Sequence, residues 1–573
     1  MKAADRLAGV LNRPGGQLVF SNCADGQDGL VLADLARTLV AQARERPAAI
    51  LHIARDGGRS ATLEAALQFY APEIDVISFP AWDCQPYDRV SPNATVVARR
   101  MTALSRLATT RGGDRPRIVL TTVNAVLQRV PSRDLIAAQS LSAAPGNAVN
   151  MDRLSAWLEH NGYLRSSTVR ETGEYAVRGG ILDLYPPGLA IPVRLDFFGD
   201  TLESIRSFDV ETQRSQTQLR MLDLVPMSEV QLTTETIKRF RQAYLAEFGA
   251  QTRGDPLYEA ISEGRRYVGL EHWLPLFHGK LDTLFDYLPE VPVALDALAE
   301  DAAGERLAQI KDYYDARRDV LGKPGESVPY KPLPPDRLYI APEEWRRRLD
   351  EASLARMTPF ASPPAPGREI VDCGGRQGHT FAAERAAEDA NVFDAVVRHI
   401  RTLQADGQRV IVAGWTDGSR ERLGAVLADH GLTQAKPVPD FARALALPKN
   451  EIALGVLPLE TGFETADLAI ISEQDVLGDR LVRRTAKRKR AQNFLTEIGT
   501  LSPGDIVVHV EHGIGRFIGL QTVTAVGAPH DCLEIHYAGG DKLFLPVENL
   551  ELLSRYGSED AEAQLDKLGG RGW

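Results

Sequence analysis

Short apolar runs alternate with helical stretches through the first 140 residues, and this alternation restricts the fold more than any other feature. Leu18-Val19-Phe20 leads into a polar, glycine-bearing turn from Ser21 to Gly29, and then into a helical pattern from Leu30 to Ala43. Ile50 to Ile53, Val76 to Phe79 and Ile118 to Leu120 read as further strands. Strands separated by helices pair in parallel and are covered on both faces, so the chain should open with an α/β module.

The texture then changes several times. From about 160 to 226, GEYAVRGGILDLYP and IPVRLDFFGDTLESIRSFDV read as a β-rich insert. Helices dominate from 235 to 320, and two proline-rich stretches (322–336 and 358–367) read as surface connectors. Residues 376 to 475 resume the α/β pattern, with a long helix from Ala382 to Leu403, a second from Arg420 to Ala428, and strands at Val410–Ala413, Ile452–Leu454 and Leu468–Ile471. The last compact stretch, Leu501 to Tyr556, is β-branched and turn-rich, the pattern of a small β barrel.

A net charge of −11 argues against a chain that wraps nucleic acid by charge alone. The tract RLVRRTAKRKR (480–490) is the local exception, with seven Lys or Arg and no acid. It reads either as a solvated linker or as a contact to DNA phosphates. Cys23, Cys84, Cys373 and Cys532 lie far apart and form no CxxC pair, which suits buried thiols in a reducing compartment. The N-terminus has no signal-peptide pattern and no run is apolar enough to span a bilayer, so the expected location is the cytoplasm.

The turn at 21–29 sits where an NTPase places its phosphate loop. Such a loop needs a lysine for the phosphates and a Ser or Thr for magnesium. This one reads S-N-C-A-D-G-Q-D-G, with Asp25 and Asp28 and no lysine. It suits a capped helix start rather than an ATP site.

Period two in the strand Pro192 to Phe198 puts Val193, Leu195 and Phe197 on a core face. Arg194, Asp196 and Phe198 share the other. An aromatic among charges on a wet face suits a partner surface. The alternative is a second small core, with Arg194 paired to Asp196 or Glu203. Arg178 precedes Gly179-Gly180, a bend at which parity no longer fixes its direction. His509, His512, Cys532 and His536 are zinc-compatible residue types. However, 509 and 512 fall on opposite faces of a straight strand, so no metal site is expected.

Longer motifs carry a resemblance. WDCQPYDRVSPN (82–93) with Arg100, VRGGILDLYP, VRLDFF, GLEHWLPLF (269–277), LFDYLPE (284–290), VVHVEHGIGRF (507–517) and LFLPVENLELLSRY occur in the order found in the bacterial transcription-repair coupling factor (Mfd). The N-terminal module of that family is itself similar to the damage-recognition protein UvrB. The resemblance implies a multidomain α/β chain. A degenerate RecA/UvrB-like domain 1a covers 1–140, a β-rich UvrA-binding domain 2 covers 141–226, and domain 1b covers 227–357. An α/β domain 3 (368–475), a basic linker (476–500), a small SH3/Tudor-like barrel of the CarD type (501–556) and the start of a further linker (557–573) follow. Where UvrB carries an Asp-Glu helicase box, this chain reads Ala294-Leu295-Asp296-Ala297-Leu298, and Ala297 supplies no carboxylate for magnesium or water.

The resemblance further implies an adaptor without catalytic residues or a cofactor of its own. UvrA would bind at Arg178, Arg194 and Phe198. The RNA polymerase β subunit would bind at Val510, Ile514 and Phe517. Arg483, Arg484, Lys487, Arg488, Lys489 and Arg490 are the candidate DNA contacts. ATP and magnesium belong to the family's translocase, expected beyond residue 573, which would also carry most DNA contact. The expected state is a monomer with no membrane partner. Two rival readings are an ATP-dependent UvrB-like helicase and a DNA-binding transcription regulator.

Overall fold

Each apolar run of the opening segment becomes a strand. A computed structural model of the chain describes residues 13–42, 49–109, 115–250, 252–320, 330–387, 391–478, 504–509, 512–525, 528–546 and 553–555, together with Leu7, residues 9–11 and Leu565. It divides into two compact units, one of Met1–Tyr163, Arg170–Gly173 and Arg178–Asp479, the other of Leu164–Val169, Glu174–Val177 and Arg480–Trp573. Among the described residues no helix is long and apolar enough to cross a membrane.

In the first unit, β1 (Gln17–Ser21), β2 (Ala49–Ala54), β3 (Asp75–Phe79) and β4 (Arg117–Thr122) alternate with α1 (Asp28–Gln42), α2 (Gly57–Tyr70) and α3 (Ala94–Thr109). The β-rich insert contributes consecutive antiparallel strands β5 (Ile181–Leu184), β6 (Val193–Phe198), β7 (Thr201–Phe208) and β8 (Ser215–Leu219). Then β9 (Val293–Leu295), β10 (Leu354–Met357) and β11 (Glu369–Asp372) return to the first sheet. Its order is β11-β1-β10-β9-β2-β4-β3, and every pairing is parallel. Side chains alternate across it: Ile50 and Ile118 enter one apolar cluster, Leu51 and Val119 the opposite one.

Residues 376–472 build a second sheet, in which Leu468–Ser472, Arg409–Gly414, Ile452–Val456 and Ala435–Pro437 run parallel. This sheet shares a core with the first. Ile411, Ala413, Leu459, Phe463 and Ile470 belong to the same buried cluster as Leu18, Phe20 and Leu67. The Phe441 ring meets Phe69 and Tyr70 edge-on, with centroids 6.4 and 5.6 Å apart. The expected long helix 382–403 is instead two, Ala382–Ala386 and Val392–Ala405. Asn391 starts the second by accepting a hydrogen bond from Phe393 N, an N-cap that outweighs the helical composition around it.

The second unit is described by itself. Its five antiparallel strands lie in the order Lys542–Pro546, Ala528–His536, Gly513–Ala525, Ile506–His509, Leu553–Arg555. Val507, Phe517, Leu533, Ile535, Tyr537 and Leu545 form its core.

One buried ion pair joins the insert's return segment to the first sheet. Arg100 on α3 and Glu229 have side chains 0 % and 1 % exposed, and Arg100 Nε lies 2.6 Å from Glu229 Oε1. Trp82 Nε1 donates to the same oxygen at 2.9 Å, and the guanidinium lies over the Phe79 ring at 4.3 Å. Removing the carboxylate strands a desolvated cation. Glu229→Ala should therefore lower stability by about 3–5 kcal/mol, read as an earlier urea or thermal midpoint. A midpoint within about 0.5 kcal/mol of the parent would show that Arg100 finds water or another partner.

Candidate functional site

The face of the insert is organised by one buried carboxylate. Asp183 on β5 has a side chain 0 % exposed. It lies opposite Arg194 of β6 in the antiparallel register, so both side chains leave the same face. Arg194 grips it with two bonds, Nε to Oδ1 at 2.7 Å and Nη2 to Oδ2 at 2.9 Å. Arg178 Nη2 donates to Oδ2 at 2.7 Å. The Arg194 guanidinium lies 5.0 Å over the Phe208 ring. Its bond to Asp183 holds it charged and raises its basicity above the ordinary arginine value against the cost of burial. Arg194 thus pairs with Asp183, not with Asp196 or Glu203. Asp196 instead accepts from Ser204 Oγ at 2.5 Å.

Phe198 is 76 % exposed at the end of the β6–β7 hairpin. Alternation places it on the wet face, and the departure from the pattern is at Phe197. The register shifts between Asp196 and Phe197, and Phe197 is only half-buried although Val193 and Leu195 are fully buried. Phe197 N donates to Gly180 O at 2.8 Å, which sets the Arg178–Gly180 turn beside the Phe198 end. A Cβ at Gly180 would stand 2.9 Å from the Phe197 carbonyl oxygen, so the close approach needs glycine. Arg178 and Arg194 therefore share one anion, and the exposed phenylalanine stands at the neighbouring hairpin end.

The loop at the C-terminal edge of the parallel sheet has different chemistry. Asp28 on α1 and Asp296 after β9 are buried, and both meet Arg59 of α2, at 2.5 and 3.6 Å. Asp25 lies 3.4 Å from Arg59, and Arg55 lies 3.7 Å from Asp296. Burial opposes the Arg59 charge, but the carboxylates of Asp28, Asp25 and Asp296 outweigh it. Burial also pushes Asp28 and Asp296 above the usual carboxylate range, with Arg59 working against the shift. His52 beneath them is driven down to about 3 by burial and by Arg59. The carboxylates that the sequence places at a phosphate loop are thus bound to an internal guanidinium. Gly26, at φ +89°, packs against Leu459 and Phe463, where a Cβ would come within 3.1 Å of Leu459. Tyr70 Oη donates to the Gly26 carbonyl at 2.9 Å. Sequence reasoning missed Arg59, which is a single arginine in a helix far from either acidic segment.

In the second unit, Ile514 is half-buried and lies opposite Val508. Phe517 is 2 % exposed within the core, which corrects its assignment as a surface contact. Val510 lies outside the described residues, as do Arg483, Arg484, Lys487, Arg488, Lys489 and Arg490 of the basic tract. His509 and His512 stack with ring centroids 4.6 Å apart, contrary to strand parity, and His512 N donates to His509 O at 3.3 Å. Among the described residues no group of three or more His, Cys, Asp or Glu is placed to hold a metal. Phe544, 39 % exposed on the edge strand Lys542–Pro546, is a candidate contact that sequence reasoning missed. Its signal was the alternation of Leu543, Phe544 and Leu545.

Comparison with known proteins follows this division. The UvrB interaction domain matches residues 141–230, the MFD D3 domain matches 403–476, and the CarD-like/TRCF RID domain matches 501–557. Three such domains occur in this order, and relatives of one kind match along most of the chain. The chain matches the N-terminal half of the transcription-repair coupling factors. It is 32 % identical to the transcription-repair-coupling factor of Rickettsia bellii, over 88 % of this chain and 43 % of that protein. The Haemophilus influenzae factor is 31 % identical over 100 % of this chain and 48 % of its own length. The Escherichia coli factor is 30 % identical over 94 % and 46 %. The chain thus spans less than half the length of these coupling factors.

Two of the three predicted contacts on the insert have separable roles. Arg194→Ala removes a bidentate partner from a fully buried carboxylate and should cost about 3 kcal/mol or more of stability. Phe198→Ala removes a solvent-exposed ring and should stay within about 0.5 kcal/mol of the parent. Urea unfolding of the two variants checks this. Equal losses would mean that Phe198 is packed or that Asp183 reaches water.

Proposed function

We propose that this chain is an adaptor of transcription-coupled nucleotide excision repair, recruiting UvrA through the β-rich insert and holding the RNA polymerase β subunit through the terminal sheet. The observation that carries the reading is Phe198, 76 % exposed beside an Arg178–Asp183–Arg194 cluster, on the segment that matches a UvrB interaction domain. A water-exposed ring next to fixed arginines is the composition of an interface hot spot. The match of 501–557 to a CarD-like/TRCF RID domain supports the polymerase half, with a small SH3/Tudor-like barrel as its fold. There the strand Lys542–Pro546, paired on one side in the sheet order, offers main-chain groups to an incoming strand. Ile514 and Val510 supply apolar contact.

The nucleotide-like loop of the first module is, on this reading, structural and takes no cofactor. Arg59 occupies its carboxylates, its lysine is absent, and Leu459 and Phe463 cover Gly26. Translocation and hydrolysis belong to the coupling factor's motor, and the basic tract 480–490 assists with DNA phosphates. The chain acts in the cytoplasm as a monomer.

Calorimetric titration with purified UvrA tests the recruiting face. Binding should be micromolar or tighter, and Phe198→Ala should weaken it about 30-fold or more, the equivalent of ~2 kcal/mol at a hot spot. Unchanged affinity in that variant, with its fold intact, would sink the assignment.

A further inference from the structure

Two of the four cysteines that lie far apart in sequence are neighbours in space. Strands β1 and β11 run parallel with Ser21 opposite Asp372, and the chain just past each strand carries a cysteine. Cys373 N donates to Ser21 O at 2.9 Å, and Gly375 N donates to Asn22 O at 2.8 Å. Gln27 ties the same two segments together, its Oε1 accepting from Ala24 N at 3.1 Å and its Nε2 donating to Cys373 O at 3.0 Å. The side chains share one environment, with Cys373 packed against the buried cluster that contains Cys23. Cys23 is buried in the core shared by the two sheets, whereas Cys373 is half-buried and reaches the surface.

The pair is chemically unequal. The neighbouring Cys23 holds the Cys373 thiol below its ordinary value. Cys373 and burial together push Cys23 up. An accessible, acidified thiol backed by a buried second thiol is the arrangement of an attacking and a resolving cysteine. Cys84 provides a contrast within the chain. Burial raises it to an unreactive value, and its sulfur faces His272 Nε2 at 3.9 Å instead of another cysteine.

We propose that Cys23 and Cys373 form a dithiol that hydrogen peroxide closes into a disulfide, joining the β1 loop to the segment leading into the second sheet. The Cys373 thiolate attacks one peroxide oxygen. The O–O bond breaks, one oxygen stays on sulfur as the sulfenic acid, and the other leaves as water after taking a proton. The Cys23 sulfur then attacks the sulfenic sulfur, the S–O bond breaks, and the hydroxyl leaves with the Cys23 proton as a second water. Two thiols are oxidised and one peroxide is reduced. The sulfurs close to about 2.05 Å, and the two backbone bonds hold the strand ends in register for it. The product fixes the loop whose Gly26 the second sheet covers.

The test is oxidation of the full chain by stoichiometric hydrogen peroxide, followed by denaturation, alkylation and peptide mass spectrometry. The expected product is lighter by two hydrogens, carries a cross-linked peptide pair containing Cys23 and Cys373, and leaves Cys84 and Cys532 alkylated. Its thermal midpoint should be higher than that of the reduced chain. In Cys23→Ser the reaction should stop at a Cys373 sulfenic acid that a 1,3-dicarbonyl probe captures, while Cys373→Ser should leave Cys23 reduced. Alkylatable Cys23 in the oxidised parent, or sulfinic acid at Cys373 without a cross-link, would overturn the proposal.

Discussion

The contact between Arg100 and Glu229 holds the first unit together. It lies where three parts converge: α3, the end of β3 through Phe79 and Trp82, and the segment by which the chain returns from the β-rich insert. Two charges with almost no exposure are stable only if each satisfies the other, and here Trp82 and the Pro80 carbonyl complete the hydrogen bonding. The return segment is therefore fixed in place, and β5 to β8 are carried on a defined base. The same device recurs on a smaller scale at Asp183, where a buried carboxylate orients two arginines beside an exposed phenylalanine. A recognition face built in this way is preorganised, and the arginines lose little freedom when a partner arrives.

The parallel sheet brings a glycine-bearing loop and three carboxylates together at its C-terminal edge, and they are bound from within. Asp25, Asp28 and Asp296 converge there without a lysine, and Arg59 balances them from the adjacent helix. The second sheet packs Leu459 and Phe463 on the loop and shares a continuous apolar core with the first. Loop, ion cluster and second sheet are thus packed on one continuous core.

Much of this fold was legible because strand–helix alternation is a local signal. The strands expected at 18–20, 50–53, 76–79 and 118–120 all lie within β1 to β4. Features that depend on one backbone event were not legible. The register shift after Asp196 turns Phe197 partly away from the core, and no residue type announces it. Asn391 starts a new helix inside a run of residues that all favour helix, so composition predicted one element where there are two. Long-range chemistry was the other blind spot. Arg59 with Asp296, Arg194 with Asp183, and Cys23 with Cys373 are pairings made by topology. Parity could put Arg194 on the wet face, but only the register of β5 against β6 shows what it holds.

The central claim is that one chain carries two docking faces and needs no nucleotide to use them. Mass photometry of the chain mixed with purified UvrA and the polymerase β subunit, with and without ATP, tests it most directly. The account predicts a particle containing all three components, in equal abundance under both conditions. A bridge that forms only with ATP, or two binary complexes that exclude each other, would contradict it.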